Sequence, residues 1–155
     1  MRRLTEIQTA LRDEKLDGWL LYDFKGLNPL ARSITGLPAD RFLTRRWACY
    51  IPAQGEPRWL VHAIEAGGMR DVAPNAATYV SWPAWTEALR ALTRGSQRVA
   101  MEVSPGCAIP YVSRVDAGTL ELIRSLGLEV VTSADLVQVA EAVWSAEQLA
   151  SHRWA

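Results

Sequence analysis

Apolar residues in the first third of the chain recur at helical spacing and then at the spacing of strands. In residues 4–16 they fall three and four positions apart, which predicts an amphipathic helix. The apolar run 19–22 predicts a short strand that is buried on both faces. Residues 47–51 and 58–63 each alternate between two faces around a glycine-containing turn, and they therefore predict a β-hairpin.

The second half of the chain alternates strands with helices. Strands are predicted at 78–82, 98–103 and 128–131, and helices at 83–94, 113–127 and 133–144. Ser113 or Asp116 can cap the second of these helices, and the third turns Leu136, Val139, Ala140 and Val143 inward. An early hairpin followed by alternating elements indicates an α/β domain, a mixed β-sheet flanked by helices.

A long polar connection, residues 23–46, separates the first strand from the hairpin. Connections of this length are usually functional or locally structured. At its end, "ADRFLTRRW" places Arg41, Arg45 and Arg46 beside Phe42 and Trp47. Three planar guanidinium groups could bind a carboxylate through paired hydrogen bonds. The alternative interpretation is a solvated loop that leads into an edge strand, because surface arginine is common.

Composition narrows the class of protein. The 155 residues suit one domain, 49% of them are hydrophobic, and the formal net charge is +0. A neutral chain argues against a nucleic-acid or anionic-membrane binder that relies on a basic patch. We find no apolar signal segment and no run long enough to span a bilayer, so we expect a cytoplasmic protein. Lys15 and Lys25 are the only lysines, which is typical of a GC-rich bacterial genome.

Few residues are candidates for chemistry within this chain. His62 and His152 have no second ligand at metal spacing, and we interpret both as structural or solvated. Cys107 has no recognisable activating base. Asp23 and Glu102, near the ends of two predicted strands, could hold Mg²⁺ as in some nucleases, although ordinary polar strand residues are the simpler interpretation. We therefore assign no catalytic and no metal-binding residue.

In order and spacing, the chain resembles the N-terminal domain of the creatinase / Xaa-Pro aminopeptidase / prolidase family of "pita-bread" metalloenzymes. The resemblance runs through the whole chain, and no single motif carries it. The matching stretches are "RDEKLDGWLLYD", "NPLARSITGLP", "RRWACYIPAQGEPRWLVH", "RVAMEVSPGCAIPY", "VDAGTLELIRSLGLEVV" and "SADLVQVAEAVWSAEQLASHRWA".

The resemblance implies a ribonuclease-H-like α/β fold, without nuclease activity. It implies two divalent metal ions (Mn, Co or Zn) in a following catalytic domain, and no cofactor in this chain. It also implies oligomer contacts, a homodimer or larger, and a share in the active-site wall that binds the peptide substrate. The residues expected near substrate are Arg41, Arg45, Arg46 and Trp47.

Three hypotheses follow from these observations. The first is the non-catalytic N-terminal domain of a Xaa-Pro dipeptidase or aminopeptidase, residues 1–144, with residues 145–155 starting a linker helix into the catalytic domain. Ser145 and Gln148 predict the capping box of that helix. The second is a stand-alone binding or scaffold module derived from such a domain. The third is a Mg²⁺-dependent nuclease at Asp23 and Glu102.

Overall fold

Strands and helices alternate along most of the chain. The computed structural model describes residue 1 and residues 3–155. The strands are β1 Gly18–Phe24, β2 Arg46–Pro52, β3 Arg58–His62, β4 Ala77–Tyr79, β5 Arg98–Met101 and β6 Glu129–Thr132. The helices are α1 Leu4–Asp13, α2 Pro29–Thr35, α3 Trp82–Leu92, α4 Ala117–Ser125, α5 Ala134–Glu141 and α6 Ala146–Trp154. Short 3-10 turns occupy Ala66–Met69, Pro105–Cys107 and Pro110–Val112.

The six strands form one mixed sheet in the order β4-β3-β2-β1-β5-β6. β2 is antiparallel to both of its neighbours, while the β3–β4, β1–β5 and β5–β6 pairs are parallel. Five strands therefore end at one edge of the sheet, and β2 begins there. We call this edge the carboxyl rim. The predicted α/β class, a mixed sheet flanked by helices, is confirmed.

Each face of the sheet is covered by its own set of helices. On one face, Trp19, Trp47 and Cys49 pack with the buried side chains of α1, α2 and α5. On the other, Leu20 and Tyr50 pack with those of α3 and α4. Adjacent residues in β1 and β2 therefore point to opposite faces, as the alternation of the sequence predicts. The expectation that the first strand is buried on both faces is confirmed.

The prediction that residues 23–46 form one long connection was wrong in two respects. β1 continues to Phe24, and helix α2 lies inside the predicted loop. Asn28 caps α2 by accepting a hydrogen bond from the Ala31 N–H, and Pro29 occupies the first turn. Gly36 ends the helix with φ of 75°. These start and stop signals are present in the sequence, but the helix has only seven residues, too few to show a period.

The structure decides three smaller expectations. Of the two caps that the sequence allowed for the fourth helix, Asp116 is the one used, and the helix begins at Ala117. β5 ends at Met101, which puts Glu102 just beyond the strand and not within it. Val143 is exposed and follows the end of α5, so its predicted inward orientation was wrong.

The C-terminal segment 141–155 carries no buried residue. Its helix, α6, has the predicted capping box: the Ser145 hydroxyl accepts from the Gln148 N–H, and the Gln148 side chain accepts from the Ser145 N–H. Trp144 packs against His152 with ring centroids 4.3 Å apart. Local contacts therefore define α6 without burial against the sheet.

Within residues 1 and 3–155, none of the helices is both long and apolar enough to span a bilayer.

Candidate functional site

Aromatic and basic side chains meet at the carboxyl rim. Phe24 ends β1 and is paired in register with Arg46, which begins β2. The Arg46 guanidinium carbon lies 5.6 Å from the centre of the Phe24 ring and 4.8 Å from that of Trp82, the first residue of α3. The Lys25 ammonium lies 5.8 Å from the Phe24 ring centre. We call Phe24, Lys25, Arg46 and Trp82 the rim cluster.

In the rim cluster, one guanidinium group lies over two aromatic rings. Stacking on aromatic faces orients arginine and leaves its in-plane N–H donors to bind other groups. Among the described residues, none accepts a hydrogen bond from the Arg46 side chain. The Arg46 carbonyl accepts from the Tyr79 hydroxyl at 2.9 Å, which ties the start of β2 to the end of β4. Burial raises the pKa of that hydroxyl to about 12. The arrangement is suited to binding a carboxylate.

Arg41 is committed to a structural contact. Its two terminal nitrogens donate to the two carboxylate oxygens of Asp71 at 2.5 and 2.7 Å, and one of them also donates to the Gly68 carbonyl. The hydrogen bond from Arg41 holds the pKa of Asp71 at about 2. Arg41 thus fastens the loop after α2 to the segment that follows β3.

Arg45 and Trp47 differ sharply in exposure. The Arg45 side chain is exposed, and the Glu65 carboxylate accepts from the backbone N–H groups of Thr44 and Arg45. Trp47 is 1% exposed and lies in the core beneath α2. Of the four residues expected near substrate, Arg45 and Arg46 present their side chains at the rim, whereas Arg41 is engaged and Trp47 is buried.

A groove of about 630 Å³ opens beside the rim cluster, between α2 and residues 36–43. Lys25 belongs to both the groove and the rim cluster, and Phe42, at 84% exposure, lies on the groove wall. Arg32 forms part of the groove lining, and its guanidinium donates to the Pro38 and Arg41 carbonyls. The groove is therefore lined by apolar and cationic groups and by one carboxylate, that of Asp40.

Asp23 is a buried carboxylate whose oxygens already have donors. One oxygen accepts from the Asn28 N–H at 2.9 Å. The other accepts from the Gly26 N–H and the Trp47 indole, both at 3.1 Å, and lies 3.6 Å from Arg32. These contacts shape the turn between β1 and α2. The donor set therefore gives Asp23 a structural role.

Glu102 is fully buried directly after β5. Its carboxylate accepts from the Trp19 indole at 2.5 Å, the Asn28 side-chain amide at 2.6 Å and the Ser133 hydroxyl at 3.3 Å. Burial raises the pKa of Glu102 to about 7, and the three donors oppose that shift. Asp23 and Glu102 are joined through Asn28, whose main chain binds one and whose side chain binds the other.

The remaining candidates are placed apart. His62 accepts from the Ile64 N–H and packs edge-on against Tyr79, whereas His152 lies on α6 against Trp144. Cys107 is exposed in the segment after β5. Within residues 1 and 3–155, no three His, Cys, Asp or Glu side chains form a group that could hold a metal ion.

Sequence reasoning missed Phe24, Asn28 and Trp82. Asn28 carried a signal, since Asn-Pro is a typical helix start. Phe24 and Trp82 gave no such signal in the sequence. They lie 58 positions apart, and only the folded sheet brings both rings to the Arg46 guanidinium.

Comparison with known proteins bears on the fold. No family model matches the sequence, and no curated protein matches it either. A prolidase from Pyrococcus horikoshii superposes with a TM-score of 0.67 at 13% identity, covering 97% of this chain and 38% of the prolidase. A proline dipeptidase structure from Streptococcus pneumoniae gives a TM-score of 0.60 at 21% identity, covering 93% of this chain and 100% of that one.

An isolated domain gives the same result. The N-terminal domain of a cytoplasmic peptidase from Mycobacterium tuberculosis superposes with a TM-score of 0.61 at 12% identity, over 90% of this chain and 98% of that domain. The chain thus spans about two fifths of the length of the whole prolidase it matches. Over about nine tenths of its length, this chain has the fold of the N-terminal domain of prolidases and proline dipeptidases.

Proposed function

We propose that the chain is the non-catalytic N-terminal domain of a Xaa-Pro dipeptidase or aminopeptidase, and that a separate catalytic domain of the same protein hydrolyses the peptide. The observation that carries this proposal is the superposition of 97% of this chain on only 38% of a prolidase. In this proposal residues 1–144 form the domain, and residues 145–155 begin the helix that leads to the catalytic domain. A cytoplasmic bacterial enzyme is the setting we infer.

The catalytic metals belong, in this proposal, to the catalytic domain. The Asp23 and Glu102 carboxylates do not suit a pair of divalent ions (Mn, Co or Zn), because their oxygens already accept from N–H and O–H groups. Within residues 1 and 3–155, no group of three potential ligand side chains could hold a metal ion. Divalent metals activate water for attack on a peptide carbonyl. We therefore assign this chain no catalytic residue and no metal ligand.

The carboxyl rim contributes part of the wall of the peptide site in this proposal. Arg45 is exposed and the Arg46 guanidinium lies over the Phe24 and Trp82 rings, so both arginines can bind a peptide carboxylate without a large loss of side-chain entropy at Arg46. The exposed apolar side chains of Trp82 at the rim and Phe42 on the groove wall suit contact with the catalytic domain or with a second subunit of a homo-oligomer.

The first test is an activity assay of the 155-residue chain with Mn²⁺ and a Xaa-Pro dipeptide, alongside the coding sequence beyond codon 155. We expect no turnover from the chain, and a downstream domain with acidic and histidine metal ligands. Robust turnover by the purified chain would overturn the proposal. A stop codon after Ala155 would favour the stand-alone binding or scaffold module.

The second test asks whether the rim contacts substrate. In the whole protein, Arg46→Ala is compared with Arg46→Lys and with the control Arg90→Ala, a change on the exposed surface of α3. We expect Arg46→Ala to raise KM about tenfold or more with a smaller effect on kcat, as expected when a charged hydrogen-bond partner of the substrate is lost. Arg46→Lys should recover only part of this, because lysine lacks the planar fork. Equal KM values for all variants would remove Arg46 from the site.

A further inference from the structure

Glu102 presents an unusual combination: a fully buried carboxylate surrounded by neutral partners. Its three hydrogen-bond donors are Trp19 on β1, Asn28 at the start of α2 and Ser133 at the start of α5. Its own carbonyl accepts from the backbone N–H groups of Arg114 and Val115. One residue thus joins four separate segments of the chain.

The charged groups of those segments are engaged elsewhere. On β1, Asp23 binds Gly26, Asn28 and Trp47, and on α2 Arg32 pairs with Asp23. In the segment after β5, the Arg114 side chain donates to the Tyr111 carbonyl and Asp116 caps α4. On α5, Asp135 is exposed. Among residues 1 and 3–155, no cation forms an ion pair with Glu102.

An unpaired carboxylate in such a place is costly when it is ionised. Two of its donors, the Trp19 indole and the Asn28 amide, can only donate at these contacts, so they favour the ionised form without neutralising its charge. The Ser133 hydroxyl can reverse its role and accept a hydrogen bond from the O–H group of a neutral Glu102. The closed surroundings of Glu102 can therefore hold either the neutral or the ionised carboxyl group. When these surroundings open, contact with water favours the ionised form.

Helix α2 is the segment best placed to open. It has seven residues, and its cap residue Asn28 is 1% exposed and bonded directly to Glu102. Helices this short depend on their tertiary contacts. We propose that Glu102 is a proton-controlled latch for α2: the neutral carboxyl keeps Asn28 and the start of α2 closed, and ionisation favours an open state in which water reaches the carboxylate. This inference stands independently of the proposed function.

The direction of the pH dependence follows from linkage. In the closed state the pKa of Glu102 is raised to about 7, whereas in a hydrated open state it returns to its ordinary value of 4.5. Opening therefore releases a proton between these two values, and the open fraction rises by up to about tenfold per pH unit in that interval. Well below pH 4.5 and well above pH 7, the ionisation of Glu102 no longer changes the opening equilibrium.

The test is amide hydrogen exchange of the 155-residue chain from pH 4.5 to 8.5, with protection factors corrected for the intrinsic pH dependence of exchange. We expect the α2 amides, Ala31 foremost, to be less protected than the β2 amides at every pH, and their protection to fall towards pH 7 and then level off. In Glu102→Gln, which cannot titrate, the α2 protection should be flat. The matched control Asp116→Asn alters the cap of α4 and should keep the wild-type α2 profile.

Two results would overturn the latch. One is an α2 profile that follows the β2 core amides at every pH, since that reports global unfolding only. The other is a Glu102 side-chain carboxyl carbon that titrates near 4.5 by NMR in the wild-type chain. The NMR titration needs no variant, so the proposal remains testable if Glu102→Gln fails to fold.

Discussion

The Trp47 indole N–H donates to the Asp23 carboxylate at 3.1 Å across the β1–β2 pair, where the two residues are register partners. Trp47 also packs against Trp59, with ring centroids 5.6 Å apart. One side chain therefore fills the core beneath α2 and satisfies a buried charge. This contact holds β1 and β2 together at the carboxyl rim, next to the Phe24–Arg46 pair of the rim cluster.

Trp47→Phe should keep most of the packing and remove the hydrogen bond. A buried carboxylate that loses a donor destabilises the folded state, here by about 1–3 kcal/mol. Urea unfolding followed by circular dichroism measures the change in the free energy of unfolding. Trp154→Phe is the control, because Trp154 is 92% exposed. Equal stability of the two variants would contradict the role assigned to Trp47.

Gly18 is required by close packing. A Cβ atom at Gly18 would collide with the ring of Tyr50, whose hydroxyl is 2.5 Å from the Ser96 Oγ. We therefore expect Gly18→Ala to lower the free energy of unfolding by about 1–3 kcal/mol. Gly67→Ala, where a Cβ would meet no atom within 4 Å, should leave the thermal midpoint nearly unchanged. The prediction is wrong if the two variants melt together.

The two cysteines should differ in reactivity. Cys49 is fully buried in β2, and burial raises the pKa of its thiol, whereas Cys107 is exposed. Since the thiolate is the reactive form, an aromatic disulfide reagent should label one thiol per chain in the folded state and two in denaturant. Cys107→Ser should abolish the folded-state reaction. Rapid labelling of Cys49 in folded Cys107→Ser would show that the sheet opens there.

Global stability should also depend on the ionisation of Glu102. Because the pKa of Glu102 in the folded state, about 7, lies above its ordinary value of 4.5, the folded state binds the proton more tightly. The free energy of unfolding should therefore fall as pH rises from 4.5 to 7, by up to about 3 kcal/mol relative to Glu102→Gln, and level off above pH 7. Urea unfolding of both proteins across this range measures the difference. A constant difference would mean that Glu102 does not titrate there.

Hydrophobic periodicity was sufficient to predict the strands of the sheet and most of the helices. The hairpin, the buried first strand and the capping box at Ser145 depend on residues close together in sequence, and all three are present. Periodicity could not predict α2, because its seven residues make only about two turns. The sequence signals for this helix are the cap residues at its two ends. It also could not place Val143, since an apolar residue just beyond a helix has no fixed face.

The sequence by itself determined the α/β class, the mixed sheet and the arginine-rich stretch before β2. Only the tertiary structure decided which arginines are available. Arg41 is paired with Asp71, thirty residues away, while the Arg46 guanidinium lies over the Phe24 and Trp82 rings. The tertiary structure also gave Glu102 three neutral hydrogen-bond donors and, within residues 1 and 3–155, no ion pair. The physical reason is that periodicity encodes which face of an element is buried, whereas charge pairing depends on distances between elements that only the assembled sheet sets.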